Sequence, residues 1–148
     1  MMDKLTQKSQ EALKTAQELA RERSHQELDG PHLALALTQQ TGTIVPMLLQ
    51  RAGVDLASWE SDLNTELDRR AQVEGVSSSD VFLSRDLKQA LDRAEQEAKT
   101  LADDYLSAEH LLLGLLEGGA VLKKLFQRQG VARAVLLEKM SEVRGSQR

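Results

Sequence analysis

The chain of 148 residues matches itself when it is shifted by 78 positions, so that residues 5–37 overlie residues 83–115. Residues 48–54 overlie residues 125–131 at a shift of 77, which indicates that the intervening loop is one residue shorter in the second copy. The pattern predicts two copies of one supersecondary unit. The identical pairs are Leu5/Leu83, Ala12/Ala90, Leu13/Leu91, Ala16/Ala94, Ala20/Ala98, Leu28/Leu106, His32/His110, Leu33/Leu111, Leu35/Leu113 and Leu37/Leu115.

The amino-acid composition indicates what the core of these units contains. Hydrophobic residues make up 41% and charged residues 28% of the chain, as in an ordinary folded protein rather than a disordered one. The chain has one tryptophan, one tyrosine and two phenylalanines. The core must therefore consist mainly of leucine, alanine and valine, which favours closely packed helices over a sheet.

Each copy is predicted to form four helices. The fold class is therefore all-α, with two tandem four-helix repeats, about eight helices in total, related by pseudo-twofold symmetry. Side chains suited to capping stand before the first two helices of each copy, and a glycine suited to a left-handed conformation follows the third. These positions are Thr6 and Ser84, Asp29 and Ser107, and Gly53 and Gly130.

The sequence predicts one domain over residues 1–148 and divides it into segments. Copy one takes residues 5–70, the linker takes residues 71–82, and copy two takes residues 83–144. The middle of the linker follows neither a helical nor a strand period, which predicts exposed loop. Residues 145–148 are predicted to be a fraying tail.

Charge, cysteine content and hydropathy exclude several classes of function. The 19 basic and 23 acidic side chains give a net charge of −4 without a concentrated basic stretch, so nucleic acid is not an expected partner. The absence of cysteine excludes disulfides, thiolate metal sites and thiol nucleophiles. Neither a secretory signal nor a membrane-spanning run is visible, which predicts a cytoplasmic protein without a membrane partner. No phosphate-binding loop motif occurs, so we expect no nucleotide on this chain.

Two histidines stand at equivalent positions, just before the apolar run of each copy's second helix. For His32 and His110, a proton carrier or metal ligand is one interpretation, and a polar residue of the first helical turn is the other. The residues four positions later are Ala36 and Gly114, so the spacing of a helical zinc motif is absent. The pattern favours the structural role. His25 is predicted to lie in a polar loop without a specific role.

Carboxylates and an apolar run mark one region of the second copy. Asp103 and Asp104 lie in the short loop before the predicted sixth helix, and Glu109 opens that helix, where the helix dipole favours negative charge. They are interpreted either as solvated side chains or as a polar rim. The run at residues 111–116 is expected in the core, while the groove between two packed bundles offers a place for a peptide.

Several of these motifs, taken in order along the chain, resemble a known family. They are Leu5-Thr6, Leu28-x-x-Pro31-His32-Leu33, Val73-Glu74-Gly75 and Leu106-Ser107-x-Glu109. Together they resemble the N-terminal domain of the Clp ATPases over essentially the whole chain. The Val-Glu-Gly linker and the overall spacing are most similar to the ClpB branch, the protein disaggregases. Residues 145–148 then correspond to the start of the linker that leads, in this family, to the first AAA+ ATPase module.

The resemblance implies a binding module without catalytic residues, whose parent is an AAA+ ATPase with ATP and Mg²⁺ in modules outside this chain. In the family, this domain captures unfolded or aggregated client proteins and helps to pass them to the ATP-driven pore. The resemblance places the polar rim of a hydrophobic substrate-binding groove at Thr6, Asp103 and Glu109, and its apolar wall at Leu91. His110 stands where relatives can carry an apolar groove residue, which implies a wetter surface there.

A second departure from the family is Arg70-Ala71 in place of a Leu-Pro pair, which implies a looser exit from the fourth helix. The implied parent is a hexamer assisted by a co-chaperone system, and the isolated domain is expected to be monomeric. The alternative keeps the fold and makes the domain a docking site for an adaptor or a phospho-degron, as in the ClpA and ClpC relatives. Asp103 and Glu109 would then pair with a guanidinium. A small helical enzyme is a third interpretation, which no motif supports.

Overall fold

The structure is a computed structural model that describes residues 4–75 and 81–146. The start of the chain at residues 1–3, the linker at 76–80 and the last two residues of the predicted tail lie outside the described residues. Within the described ranges, the predicted all-α fold of two four-helix repeats is confirmed, with two short strands added. The elements are α1 (Gln7–Glu22), β1 (Glu27–Leu28), α2 (Gly30–Gln39), α3 (Val45–Arg51), α4 (Leu56–Asp68), β2 (Phe82–Leu83), α5 (Arg85–Thr100), α6 (Ala108–Leu115), α7 (Ala120–Arg128) and α8 (Arg133–Ser146).

The first helix of each copy begins at the predicted capping residue. Thr6 Oγ1 accepts a hydrogen bond from the Ser9 N–H at 3.2 Å, and Ser84 Oγ accepts one from the Leu87 N–H at 2.9 Å. Each hydroxyl satisfies an amide group that has no partner inside its helix. α1 and α5 consequently start at equivalent points, and each runs for 16 residues.

The second helix of each copy begins with a capping box that includes the histidine. Asp29 and Ser107 are the N-cap residues, as predicted. The Asp29 N–H donates to His32 Nδ1 at 3.0 Å, and the Ser107 N–H donates to His110 Nδ1 at 2.9 Å. The imidazole takes the place of the glutamate or glutamine of an ordinary capping box. The geometry therefore gives both histidines the structural role that the sequence favoured.

Glycines in the left-handed region end the third helix of each copy, as predicted. Gly53 follows α3 with a φ of 95°, and Gly130 follows α7 with a φ of 70°. A side chain at either position would be strained by the backbone conformation. At the other end of the chain, α8 continues through Gly145 and Ser146. The prediction that these two residues belong to a fraying tail is therefore wrong.

α2 and α6 lie at the centre of the molecule. Between the copies, α2 contacts α6, α1 contacts α6, α2 contacts α5, α3 contacts α8, and α4 contacts α7. Exchanging α1–α4 for α5–α8 turns these five contacts into one another, as a pseudo-twofold axis requires. α3 also contacts α6, more extensively than its symmetry equivalent, α2 with α7. The apolar run of α6 is in the core as predicted, with Leu111, Leu112, Leu113 and Leu115 at most 2% exposed. No helix of the described residues is long and apolar enough to cross a membrane.

The backbones of the two copies meet at two places that the same symmetry relates. Leu5 forms a parallel bridge with Leu106, and β1 pairs in parallel with β2, where Leu28 is opposite Leu83. The strands escape sequence analysis because two residues are too few to show an alternating period. We call residues 4–6 with 105–107 the Leu5–Leu106 junction, and residues 26–28 with 82–84 the Leu28–Leu83 junction.

One backbone hydrogen bond between the copies recurs at both junctions. The Thr6 N–H donates to the Leu106 carbonyl at 3.1 Å, and the Ser84 N–H donates to the Leu28 carbonyl at 2.9 Å. A shift of 78 positions converts each partner of the first bond into a partner of the second. The internal symmetry that the sequence predicts therefore extends to single backbone bonds between the copies.

Candidate functional site

Thr6 lies at the Leu5–Leu106 junction, where it contacts the second copy. Thr6 Oγ1 lies 2.9 Å from Ser9 Oγ, and the Ser9 hydroxyl donates to the Leu106 carbonyl at 2.9 Å. The same carbonyl accepts the Thr6 N–H. The start of α1 is therefore bonded to the loop between α5 and α6.

His110 lies beneath that loop and binds Asp103. Its Nε2 lies 2.7 Å from Asp103 Oδ2 and donates to it, because its Nδ1 accepts the Ser107 N–H. His110 is only 1% exposed, so its ring does not reach the surface. The expectation of a wetter groove surface at His110 is therefore wrong. Its polar atoms are satisfied inside the domain, where the ring orients Asp103.

One guanidinium holds the two carboxylates of the predicted rim. Arg144 of α8 donates to Asp103 Oδ2 at 3.0 Å and to Glu109 Oε2 at 3.1 Å. Partial burial raises the pKa of Asp103, but hydrogen bonds from His110 and Arg144 outweigh this effect and hold the pKa below its usual value. Arg144 is not recognisable as part of this cluster from the sequence, because 41 residues separate it from Asp103.

Tyr105 is a further side chain of the Leu5–Leu106 junction that sequence analysis did not select. It is 60% exposed, although the chain contains few aromatic residues to expose. The Lys4 ammonium lies 5.9 Å from the centroid of its ring, within the range of a cation–π contact. The sequence feature that could have identified Tyr105 is its position directly after Asp103 and Asp104, in the same loop.

The structure brings three of the predicted rim residues to one place. Thr6 contacts Leu106, while Asp103 and Glu109 lie three positions before and after Leu106 in the chain. Leu91 takes no part in this network of hydrogen bonds. It lies on α5, partly buried against the core.

The Leu28–Leu83 junction carries a different set of polar contacts. Ser84 Oγ donates to Asp29 Oδ1 at 2.6 Å, and Arg70 donates to Asp29 Oδ2 at 2.6 Å. Arg70 also pairs with Glu66 at 3.4 Å. Burial raises the pKa of Asp29, but the hydrogen bonds from Ser84 and Arg70 outweigh it and lower the pKa. Arg70 thus fixes the end of α4 to the start of α2, so the expected loosening at this point is wrong.

His25 is buried rather than placed in a polar loop, so its prediction is wrong as well. It is 3% exposed, and its Nδ1 lies 2.9 Å from His32 Nε2. The repeat could have predicted this contact, because a shift of 78 aligns His25 with Asp103 and His32 with His110.

Among the described residues, no three histidine, cysteine, aspartate or glutamate side chains are arranged to hold a metal ion.

Removing either capping hydroxyl is expected to destabilise the fold, by different amounts. Thr6→Ala should cost about 1 kcal/mol, the usual worth of an N-cap. Ser84→Ala should cost more, because it also removes the hydroxyl that donates to buried Asp29. Urea denaturation of the two variants measures the difference. Equal losses, or a larger loss for Thr6→Ala, would contradict this ranking.

Comparison with curated proteins finds relatives along the whole chain. A protein-family model described as the Clp repeat (R) N-terminal domain matches residues 4–129. Chaperone protein ClpB 1 of Parasynechococcus marenigrum is 37% identical over 145 residues, which cover 98% of this chain and 17% of that protein. Chaperone protein ClpB of Nitratidesulfovibrio vulgaris is 38% identical over 149 residues, with coverage of 98% and 17%. The chain thus spans about a sixth of the length of these relatives.

Solved structures share the fold. The N-terminal domain of Hsp104 from Candida albicans superimposes with a TM-score of 0.82 at 24% identity, covering 97% of this chain and 93% of that one. A complex of the ClpV N-domain with a VipB peptide gives a TM-score of 0.72 at 23% identity, with coverage of 94% and 86%. From the family match and the full-length similarity to the ClpB chaperones, this chain belongs to the family of Clp repeat N-terminal domains.

Proposed function

We propose that this domain is the substrate-binding module of an ATP-dependent, protein-disaggregating chaperone. The observation that carries the proposal is the similarity to ClpB chaperones over 98% of the chain. The ClpV N-domain, which has the same fold, has been solved with a VipB peptide. A peptide-sized segment of an unfolded or aggregated protein is therefore the ligand that this domain should receive.

The Leu5–Leu106 junction has the groups that such a segment requires. Exposed Tyr105 offers apolar surface at the junction. We propose partly buried Leu91, on α5, as the apolar wall of the site. Thr6, Asp103 and Glu109 offer polar groups to the backbone and basic side chains of the segment. His110 supports the site from inside by holding Asp103. Binding should be weak, because a shallow surface buries little area and has to release its cargo.

Weak binding by one domain would be sufficient if the domain is part of a longer protein, as it is in the ClpB relatives. We place ATP and Mg²⁺ in AAA+ modules outside the 17% of the relatives' length that this chain spans. A hexameric parent, assisted by a co-chaperone system, would present six tethered copies of the domain, and avidity would compensate for the weak single site. A client held at the junction would then pass to the central pore.

Titration with a permanently unfolded model protein, such as reduced and carboxymethylated α-lactalbumin, tests the site. Leu91→Asn should weaken binding about tenfold, the equivalent of ~1.4 kcal/mol for one lost apolar contact. The matched control is Leu13→Asn, because Leu13 is the repeat equivalent on α1 and is also partly buried against the core. It should leave the affinity unchanged. Equal weakening by the two substitutions, or no binding at high micromolar concentration, would rule out this location.

Docking of an adaptor or a phospho-degron is a second candidate function, which the contact of Arg144 with Asp103 and Glu109 favours. Asp103 and Glu109 already bind a guanidinium, that of Arg144, so the pair has the geometry for an arginine. Calorimetry with a phosphoarginine peptide and its unphosphorylated form separates the candidates. Selective binding of the phosphorylated peptide, lost in Asp103→Asn, would replace the unfolded-client proposal. Equal weak binding of the two peptides would support that proposal instead.

A further inference from the structure

The two copies differ in the partner of their capping histidine. In copy two, His110 donates to the carboxylate of Asp103. In copy one, the repeat equivalent of Asp103 is His25, so His32 faces a second imidazole at 2.9 Å. The carboxylate of Asp103 remains an acceptor in mild acid, because its pKa is held below the usual value. An imidazole loses its acceptor when it is protonated.

The hydrogen-bond partners of the histidine pair fix the tautomer of each ring. The Asp29 N–H donates to His32 Nδ1, so the proton of neutral His32 is on Nε2. That proton is donated to His25 Nδ1, which leaves the proton of His25 on Nε2 for its hydrogen bond with the Leu67 backbone. The chain of bonds is complete only when both rings are neutral. One added proton places two N–H groups against each other.

The charged groups around the pair favour the neutral rings. Burial lowers the pKa of His25 and, more strongly, that of His32, to about 4. The cations of Arg23 and Arg70 lower the pKa of His25 further, and the Leu67 backbone and Asp68 oppose them only in part. At His32, His25 and Arg70 also lower the pKa, and Asp29 opposes them through its charge and its backbone hydrogen bond. A cavity of about 280 Å³ beside the rings gives protons access to them. It is lined by His25, Gln26, Glu27, His32, Arg70, Ala71 and Val73.

The backbone next to His25 holds both described ends of the linker between the copies. The Val73 N–H, before the undescribed residues 76–80, donates to the Ser24 carbonyl at 2.8 Å. The Phe82 N–H, after them, donates to the Gln26 carbonyl at 2.9 Å. His25 lies between these two acceptors, and its ring fixes them to α2 and α4 through His32 and Leu67.

We propose that the His25–His32 pair is an acid-sensitive latch, which holds Val73 and Phe82 on copy one when both rings are neutral and releases them when the pair takes up a proton. The Leu28–Leu83 junction is then the part of the domain that opens more often in mild acid. The symmetry-related Leu5–Leu106 junction, with a carboxylate at position 103, stays closed. Proton uptake therefore acts on one half of a pseudo-symmetric domain.

The sign of the pH dependence follows from the lowered pKa values. The stabilisation is complete above the ordinary histidine pKa of about 6.5 and is lost as the pH falls toward the folded value of His32, about 4. Hydrogen exchange followed by NMR should therefore show that protection factors of the Val73 and Phe82 amides fall on the order of tenfold between about pH 7.5 and about pH 5. The Leu106 amide, which donates to Lys4 at the other junction, should keep its protection.

The matched variant is His25→Asp, which gives copy one the histidine–aspartate pair that His110 and Asp103 form in copy two. Arg23 and Arg70 lie close enough to His25 to compensate the added carboxylate. Its Val73 and Phe82 amides should keep their protection in mild acid. Equal losses at both junctions in the wild-type chain, or an unchanged loss in the variant, would overturn the latch. Imidazole ¹⁵N shifts of the wild-type chain give a test that needs no variant, because ordinary titration of both rings near pH ~6.5 would also overturn it.

Discussion

Gly114→Ala is expected to destabilise the domain by about 3 kcal/mol, the upper end of the usual range for overpacking. Gly114 lies in α6 against α5. A Cβ at this position would overlap the Ala90 carbonyl oxygen and lie 2.9 Å from Ala94 Cβ. The overlapping atom belongs to helix backbone, so no side-chain rotation relieves the clash and the two helices must separate. The separation would also expose the leucines of α6 at the centre of the core.

Gly145→Ala is the matched control for this substitution. Gly145 is also helical, in α8, but a Cβ there meets nothing within 4 Å. Its free energy of unfolding should stay within about 1 kcal/mol of the wild-type value or rise, because alanine is the better helix former. Urea denaturation followed by far-UV circular dichroism measures both variants. A Gly114→Ala domain as stable as Gly145→Ala would show that α5 and α6 do not pack this closely.

Trp59→Ala is expected to cost about 4 kcal/mol, within the range for removal of a buried aromatic ring. Trp59 lies in α4 of copy one and is fully buried, with its ring centroid 4.8 Å from that of Phe126 in α7 of copy two. Its Nε1–H donates to Thr38 Oγ1 at 2.9 Å. The substitution therefore removes packing between the copies and also leaves a cavity inside copy one.

Trp59→Phe separates these contributions. It retains a ring against Phe126 and loses only the volume of the second ring and the bond to Thr38, so the cost should be about half that of alanine. Circular dichroism is the appropriate probe, since the substitution removes the chain's single tryptophan. If phenylalanine were as costly as alanine, the bond to Thr38 rather than the packing between copies would dominate.

Part of the candidate site was predictable from the sequence. The predictable residues are those whose role depends on neighbours in the chain, and the others depend on contacts between distant residues. Thr6 was identifiable because a cap bonds to an amide three residues away. Asp103 and Glu109 were identifiable as a polar rim because both border one predicted helix. Arg144, which binds both carboxylates, was not, since it reaches them only through the packing of α8.

His25 is a residue for which the local sequence predicts the wrong environment. Its sequence surroundings are polar, and polar surroundings predict exposure. The turn after α1 nevertheless directs it inward, where it meets His32 and the end of α4. Comparison of the copies could have corrected the error, because its repeat equivalent, Asp103, also binds the capping histidine of its copy.

The sequence by itself determined that the chain is two copies of one four-helix unit, together with most of the points at which the helices begin and end. These features depend on periodicity and capping, which act within about one or two helical turns and are therefore visible in the order of residues. Only the tertiary structure decided which charges pair within each copy, that His25 is buried, and that the two junctions carry different chemistry. Those outcomes depend on contacts that bring distant parts of the chain together, and the packing of helices within and between the copies determines which residues meet.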